Sequence, residues 1–246
     1  MNNQKSKSKR GDLHRFLYII LGVVLITGLH ACGSYQEQAN MGEIAETGRD
    51  FLVDDEVEES YGMYSYILFS QPPNENTYDR YNALVDKFLS FSPIEDFEKY
   101  YPRDSLNVLY LPVVEMPAYP TDSDSVLAKY NYTRSKVIIN TLPREYRHRE
   151  AVYFVSSLKP LTNSTGIQEP YLIQDLTTIP PDLMGIWVDE VLNEFLVPRS
   201  WTENAMRKMA LNLRTNIERA AEGLPTVKTA LVQFFTFRPA LANVQE

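Results

Sequence analysis

Three runs of this chain are apolar on both alternating faces: residues 61–70 (YGMYSYILFS), 106–114 (LNVLYLPVV) and 151–157 (AVYFVSS). A strand with two apolar faces has to be covered on both sides, so these runs predict the buried strands of a layered domain. Helical periodicity fills the intervals between them. After an opening at Asn76 or Thr77, Tyr81, Leu84, Val85, Phe88 and Leu89 recur at helical spacing. Ser92-Pro93-Ile94-Glu95 has the form of a capping box with proline at the first helical position, which predicts a short helix to about Tyr100. Pro112 would interrupt the ladder of the second strand. Residues 123–142 place Val126, Leu127, Tyr130, Val137, Ile138 and Leu142 near one helical face before Pro143, although Val137-Ile138-Ile139 also suits an extended segment.

No short hairpin turn separates the three strands, and long crossovers favour parallel pairing. The remainder is expected to be helical. Residues 182–196 are apolar nearly all round, with Leu183, Trp187, Val191 and Phe195, as in a largely buried helix. Ser200-Trp201-Thr202-Glu203 opens a further helix with Met206, Met209, Leu213, Ile217 and Ala220 as one stripe, stopped by Gly223 and Pro225. A last helix is expected around 227–235. The expected fold class is α/β: a small three-layer domain with a short, mainly parallel sheet and a helical C-terminal half, spanning residues 61–246 and long enough for one core.

The residues before this domain differ in kind. Lys5, Lys7, Lys9, Arg10 and Arg15 stand against a single Asp12, and an apolar run from Phe16 to Gly28 follows. Thirteen helical residues cover only about 20 Å, short of the roughly 30 Å hydrocarbon core, so this run fits a signal peptide better than a permanent membrane span. It ends at Leu29-His30-Ala31-Cys32, which contains the only cysteine among 246 residues, so no internal disulfide can form. Residues 33–60 hold nine acids and one base, Arg49. A like-charged segment of low hydrophobicity is expected to stay extended, so residues 32–60 are expected to form an acidic flexible tether spanning on the order of 30 Å. Phe51, Leu52 and Val53 have the character to dock locally, which would move the folded boundary toward residue 50.

Leu29, Ala31 and Cys32 together make the N-terminal segment similar to bacterial lipoprotein precursors, with His30 where that family has a small residue. The resemblance covers about the first 33 residues. It implies removal of residues 1–31, lipidation of Cys32 and anchoring of an exported domain to a membrane, facing the periplasm or the cell exterior. Gly33 after the cysteine implies the outer membrane in a host that has one. Ordinary secretory cleavage, with Ala31 and Gly33 as the small pair of the site and release of a soluble protein, is the competing expectation.

Candidate catalytic motifs have ordinary structural readings. Ser156-Ser157-Leu158-Lys159 has the S-x-x-K spacing, but the serine ends a predicted strand and Pro160 follows, whereas that chemistry needs both side chains on one helix face. Asp122 and Asp124 form D-x-D at a helix start, where carboxylates stabilise the positive helix end. His148 is the only histidine beyond the N-terminal segment, so a two-histidine metal centre is excluded; no metal site and no cofactor is expected. Neither a G-x-S-x-G elbow nor a glycine-rich phosphate loop occurs.

One cluster points to binding. Tyr130, Tyr132, Arg134 and Lys136 are followed by Arg144, Tyr146, Arg147, His148 and Arg149. Arginine forks suit phosphate or carboxylate groups and tyrosine rings suit sugar faces, so Arg134, Lys136, Arg144, Tyr146, Arg147 and Arg149 are the expected ligand-binding residues, with a solvated helix end as the plainer account. The net charge of −8 argues against a nucleic-acid partner. The expected function is a non-catalytic, lipid-anchored envelope module for a protein partner or an anionic envelope component. A membrane-anchored hydrolase with a dispersed acid or serine site is the alternative.

Overall fold

The three apolar runs form the centre of a sheet. The computed structural model describes residues 46–53, 57, 59–147, 150–161, 166–179, 181–197, 199–220, 222 and 235–240. These belong to the compact unit Gly42–Glu246, and the expected lipidation segment lies outside them. Among them are strands β1 (Thr47–Leu52), β2 (Met63–Phe69), β3 (Asn107–Pro112), β4 (Val152–Ser157), β5 (Tyr171–Asp175) and β6 (Phe235–Arg238). The helices are α1 (Tyr78–Ser90), α2 (Ile94–Glu98), α3 (Ser123–Ala128), α4 (Tyr132–Ile139), α5 (Pro181–Phe195) and α6 (Glu203–Ala220), with 3₁₀ turns at Arg103–Ser105 and Arg144–Tyr146.

The sheet order is β1-β3-β2-β4-β5-β6. β1 and β2 flank β3 in parallel, whereas β4 pairs antiparallel with β2, β5 with β4 and β6 with β5. The fold is α/β, but the expectation of a mainly parallel sheet is corrected to a mixed, mostly antiparallel one. Crossover length failed as a guide because the β3–β4 connection contains two short helices and a 3₁₀ turn, which bring the chain back to begin β4 beside the end of β2, at Phe69↔Val152.

Every residue of β2, β3 and β4 is buried, as their double-faced apolar pattern requires. Successive side chains alternate between two layers. On the first face Phe51, Met63, Ile67, Phe69, Leu109, Leu111, Phe154 and Leu172 pack against α1, α3, α5 and α6. On the second, Tyr64, Tyr66, Tyr110, Tyr153, Val155 and Tyr171 lie under Ile138 and Ile139 of α4, Ile94 of α2 and connecting loops.

Four further expectations are revised. The acidic tether does not extend to residue 60, because Thr47–Leu52 is an edge strand whose Phe51 and Leu52 enter the two opposite layers. Ser92-Pro93-Ile94-Glu95 does not make a capping box. Its proline occupies the N-cap without a side-chain bond, and the Ser92 carbonyl accepts from Arg49 N at 2.9 Å. The helix expected over 123–142 is two helices, broken where Tyr130 bridges back to Val113 and Asn131 restarts the turn by accepting from Arg134 N. Finally, Phe235 begins a strand rather than ending a helix, while residues 223–234 lie outside the described set. The α6 start is capped by Thr202 Oγ1, which accepts from Ala205 N at 3.2 Å.

Candidate functional site

The expected basic cluster is divided by its own helix geometry. Residues two apart on a helix point to different sides. On α4, Arg134 is buried at 4 % exposure and Lys136 is exposed. Tyr130 belongs to the core as well. Its hydroxyl donates to Ile67 O at 3.1 Å and accepts from Phe69 N at 2.9 Å, tying the α3–α4 link to β2. Tyr132 packs on Tyr130 with ring centroids 4.8 Å apart, and burial pushes its hydroxyl up to about 12. Tyr146 is likewise a strut: its ring stands edge-on to Tyr153 at 6.0 Å and its hydroxyl shares a hydrogen bond with that of Thr236 on β6. Arg149 and His148 lie outside the described residues.

Arg144 and Arg147 remain exposed at the surface. The Arg147 Nε donates to Leu142 O at 2.8 Å, which fixes the guanidinium where the chain leaves α4. It stands at an open cleft of ≈ 490 Å³. One wall is Thr141, Leu142 and Pro143; the other is the approach to β5, from Gly166 to Glu169, with Tyr171. Ile167 N donates to Thr141 O at 3.2 Å and holds the walls together. Gly166 has φ +69°, a left-handed conformation that glycine adopts at little cost at this turn.

The electrostatics of the cleft are mixed. Burial raises the Tyr171 hydroxyl above its ordinary 10.0, Arg238 opposes that shift and Glu169 adds to it, so the phenol is protonated at neutral pH and able to donate. Arg147 brings a cation and Glu169 a carboxylate to the same opening. The chemistry on offer is recognition of a ligand with anionic and polar groups along a partly apolar wall. A smaller cleft of ≈ 370 Å³ lies beside the α6 start, lined by residues that include Arg199 and Lys208. There Arg199 is held by Glu194, at 2.8 Å in a nearly buried pair.

The motif residues take the ordinary roles foreseen for them. Ser156 is the penultimate residue of β4, its hydroxyl 3.0 Å from that of Ser65, while Lys159 Nζ reaches Gln168 Oε1 at 2.8 Å. Asp122 caps α3 by accepting from Ser125 N at 2.8 Å, and Asp124 accepts from the Tyr78 hydroxyl. Among the described residues no group of three or more His, Cys, Asp or Glu is placed to hold a metal ion.

Residues 166–171 were missed in the sequence because they carry no periodicity and no motif. Their local signal was Gly166 and Pro170 around a short polar stretch, which marks a loop but not a ligand wall. Comparison with protein-family models, curated proteins and solved structures returned no match.

Proposed function

We propose that this chain is a lipid-anchored envelope protein whose α/β domain binds a protein partner or an anionic envelope component without transforming it. The observation that carries the reading is Leu29-His30-Ala31-Cys32 at the end of a basic and then apolar segment. The anchor is Cys32, the domain faces the periplasm or the cell exterior, and the membrane is the outer one in a host that has it. The proposed ligand surface is the cleft rim, where Arg147 stands with Thr141, Gln168 and Tyr171; exposed Arg144 precedes it and Arg149 follows in the sequence. Arginine suits carboxylate and phosphate oxygens better than a point charge does, because its planar fork donates two parallel hydrogen bonds.

Residues 33–46 separate the anchor from β1. Even fully extended they span at most about 50 Å, so the domain works close to its membrane. The test replaces Arg144, Arg147 and Arg149 with Ala in the anchored protein and measures capture of co-purifying envelope components. At least a tenfold loss of capture, equivalent to about 1.4 kcal/mol, is expected. Unchanged capture would remove the ligand surface from the proposal while leaving the anchor to be judged separately.

A further inference from the structure

The second surface that calls for an occupant lies at the other end of the sheet from the cleft. The chain leaves β3 through Val113, makes an excursion, and returns at Tyr130, where an antiparallel bridge to Val113 closes the base. Val114 N donates to Lys129 O at 2.8 Å and Asn131 N to Pro112 O at 3.0 Å, so the excursion is pinned at both ends. Inside it, Val126 and Leu127 of α3 enter the core. Along its outgoing arm, Val114, Met116 and Tyr119 are 57 %, 58 % and 70 % exposed. Tyr78, at the start of α1, adds a ring 40 % exposed and is joined to the same excursion through Asp124. Elsewhere among the described residues Leu196 and Val197 are exposed side by side just beyond α5, a smaller group, and Tyr100 and Leu211 stand out singly, which needs no explanation. Tyrosine and methionine grouped on a surface are the composition of a protein interface.

We propose that the 114–121 loop, with Val114, Met116 and Tyr119 at its centre, is the docking surface for a basic, apolar segment of a partner protein. Charge selects this occupant. Segments 74–86 and 113–130 together hold six carboxylates and two cations. Both cations are engaged: Lys129 pairs with Glu115, and Arg80 donates to the carbonyls of Thr177 and Ile179 at 2.7 and 2.8 Å. Glu115 and Asp122 are held below the ordinary carboxylate range by Lys129 and by Ser125 respectively, so both stay ionised. An anionic bilayer is repelled by such a rim. A second copy of the processed chain is a poor fit too, since losing residues 1–31, with five bases and one acid, takes the net charge from −8 to −12, and the most basic stretch left, 134–149, is interleaved with Glu145 and followed by Glu150. A segment in which lysine or arginine flanks apolar residues satisfies both the rim and the centre.

The surface is independent of the anchor and of the cleft, so its test leaves both untouched. Hydrogen exchange of the full chain in detergent is followed while a synthetic peptide of alternating Lys and Leu is added, with an alternating Glu and Leu peptide as counterpart. Protection centred on 114–122 by the Lys peptide alone is expected. Affinity should fall at least tenfold in Met116→Ser with Tyr119→Ser, and several-fold in Asp79→Asn with Asp122→Asn, where asparagine retains the cap of α3. Added salt should weaken binding. The proposal is overturned by protection spread over the acidic surface without a centre, by equal protection from the Glu peptide or from phosphatidylglycerol vesicles, by self-association that protects the loop, or by variants that bind as the parent does.

Discussion

The two faces of the sheet are built to different rules. The first is covered by four helices and is filled mainly with aliphatic and phenylalanine side chains, among which Phe154 packs between Trp187 and Phe195 at 5.4 and 5.7 Å. The second carries Tyr64, Tyr66, Tyr110, Tyr153 and Tyr171 under one two-turn helix, a shorter one and loops. A helix satisfies its own backbone and can lie flat on an apolar layer. Loops cannot, so a loop-covered face needs side chains that are apolar in the ring and polar at the tip. Tyr66 shows this, accepting from Leu161 N at 3.1 Å through its hydroxyl. The cleft opens on the loop-covered side, where Tyr171 lies, because that cover leaves gaps a packed helix would close.

Alkali should have the largest effect, because it acts on every buried phenol at once. Burial raises Tyr66, Tyr130 and Tyr153 above the ordinary 10.0, and Tyr132 to about 12. A raised pKa in the folded state favours the protonated form, so this stability is complete below pH 10 and is lost as pH rises from the unfolded value through the folded ones. Tyrosinate absorbance should therefore appear together with loss of far-ultraviolet circular dichroism above pH 10. Tyr66 and Tyr153 lie on the second face and Tyr130 and Tyr132 on the first, so independent titration of all four in an intact fold would show that protonated phenols hold neither face together.

Next in size is Phe154→Ala, which opens a cavity beneath the helices and is expected to cost about 3–5 kcal/mol in urea unfolding. Tyr130→Phe should cost about 1–3 kcal/mol, since it leaves Phe69 N–H without its acceptor inside the core. The smallest effect has the opposite sign. The Tyr153 hydroxyl is buried without a hydrogen-bond partner among the described residues, so Tyr153→Phe should leave stability unchanged or raise it by about 1 kcal/mol. A marked loss there would mean that the second face depends on its hydroxyls throughout.

The sequence disclosed the centre of the sheet and concealed its edges, for physical reasons. β2, β3 and β4 are buried on both sides, and no other local structure accounts for their composition. β1 lies within an acidic stretch and has Arg49 and Asp50 at its middle; there Arg49 hides its charge by donating to Phe91 O at 2.9 Å and lying over the Phe51 and Phe88 rings. β5 contains Gln174, a polar residue that is buried because it accepts from Trp187 Nε1. Strand direction was concealed as well, because it depends on how helices within a connection add, and length does not report that. For the site, the division of Arg134 from Lys136 follows from helical spacing, whereas the meeting of Arg147 with Gln168 and Tyr171 depends on a tertiary contact between two loops.

The proposed lipid anchor at Cys32 is tested most directly by mass spectrometry of the N-terminal peptide of the protein purified from its native host. The account predicts that this peptide begins at Cys32 and carries a diacylglyceryl thioether with an acylated amino group, and that Cys32→Ser abolishes both the modification and the membrane association. An unmodified terminus at or beyond Ala31, or an intact Met1 with residues 1–31 retained, would contradict it.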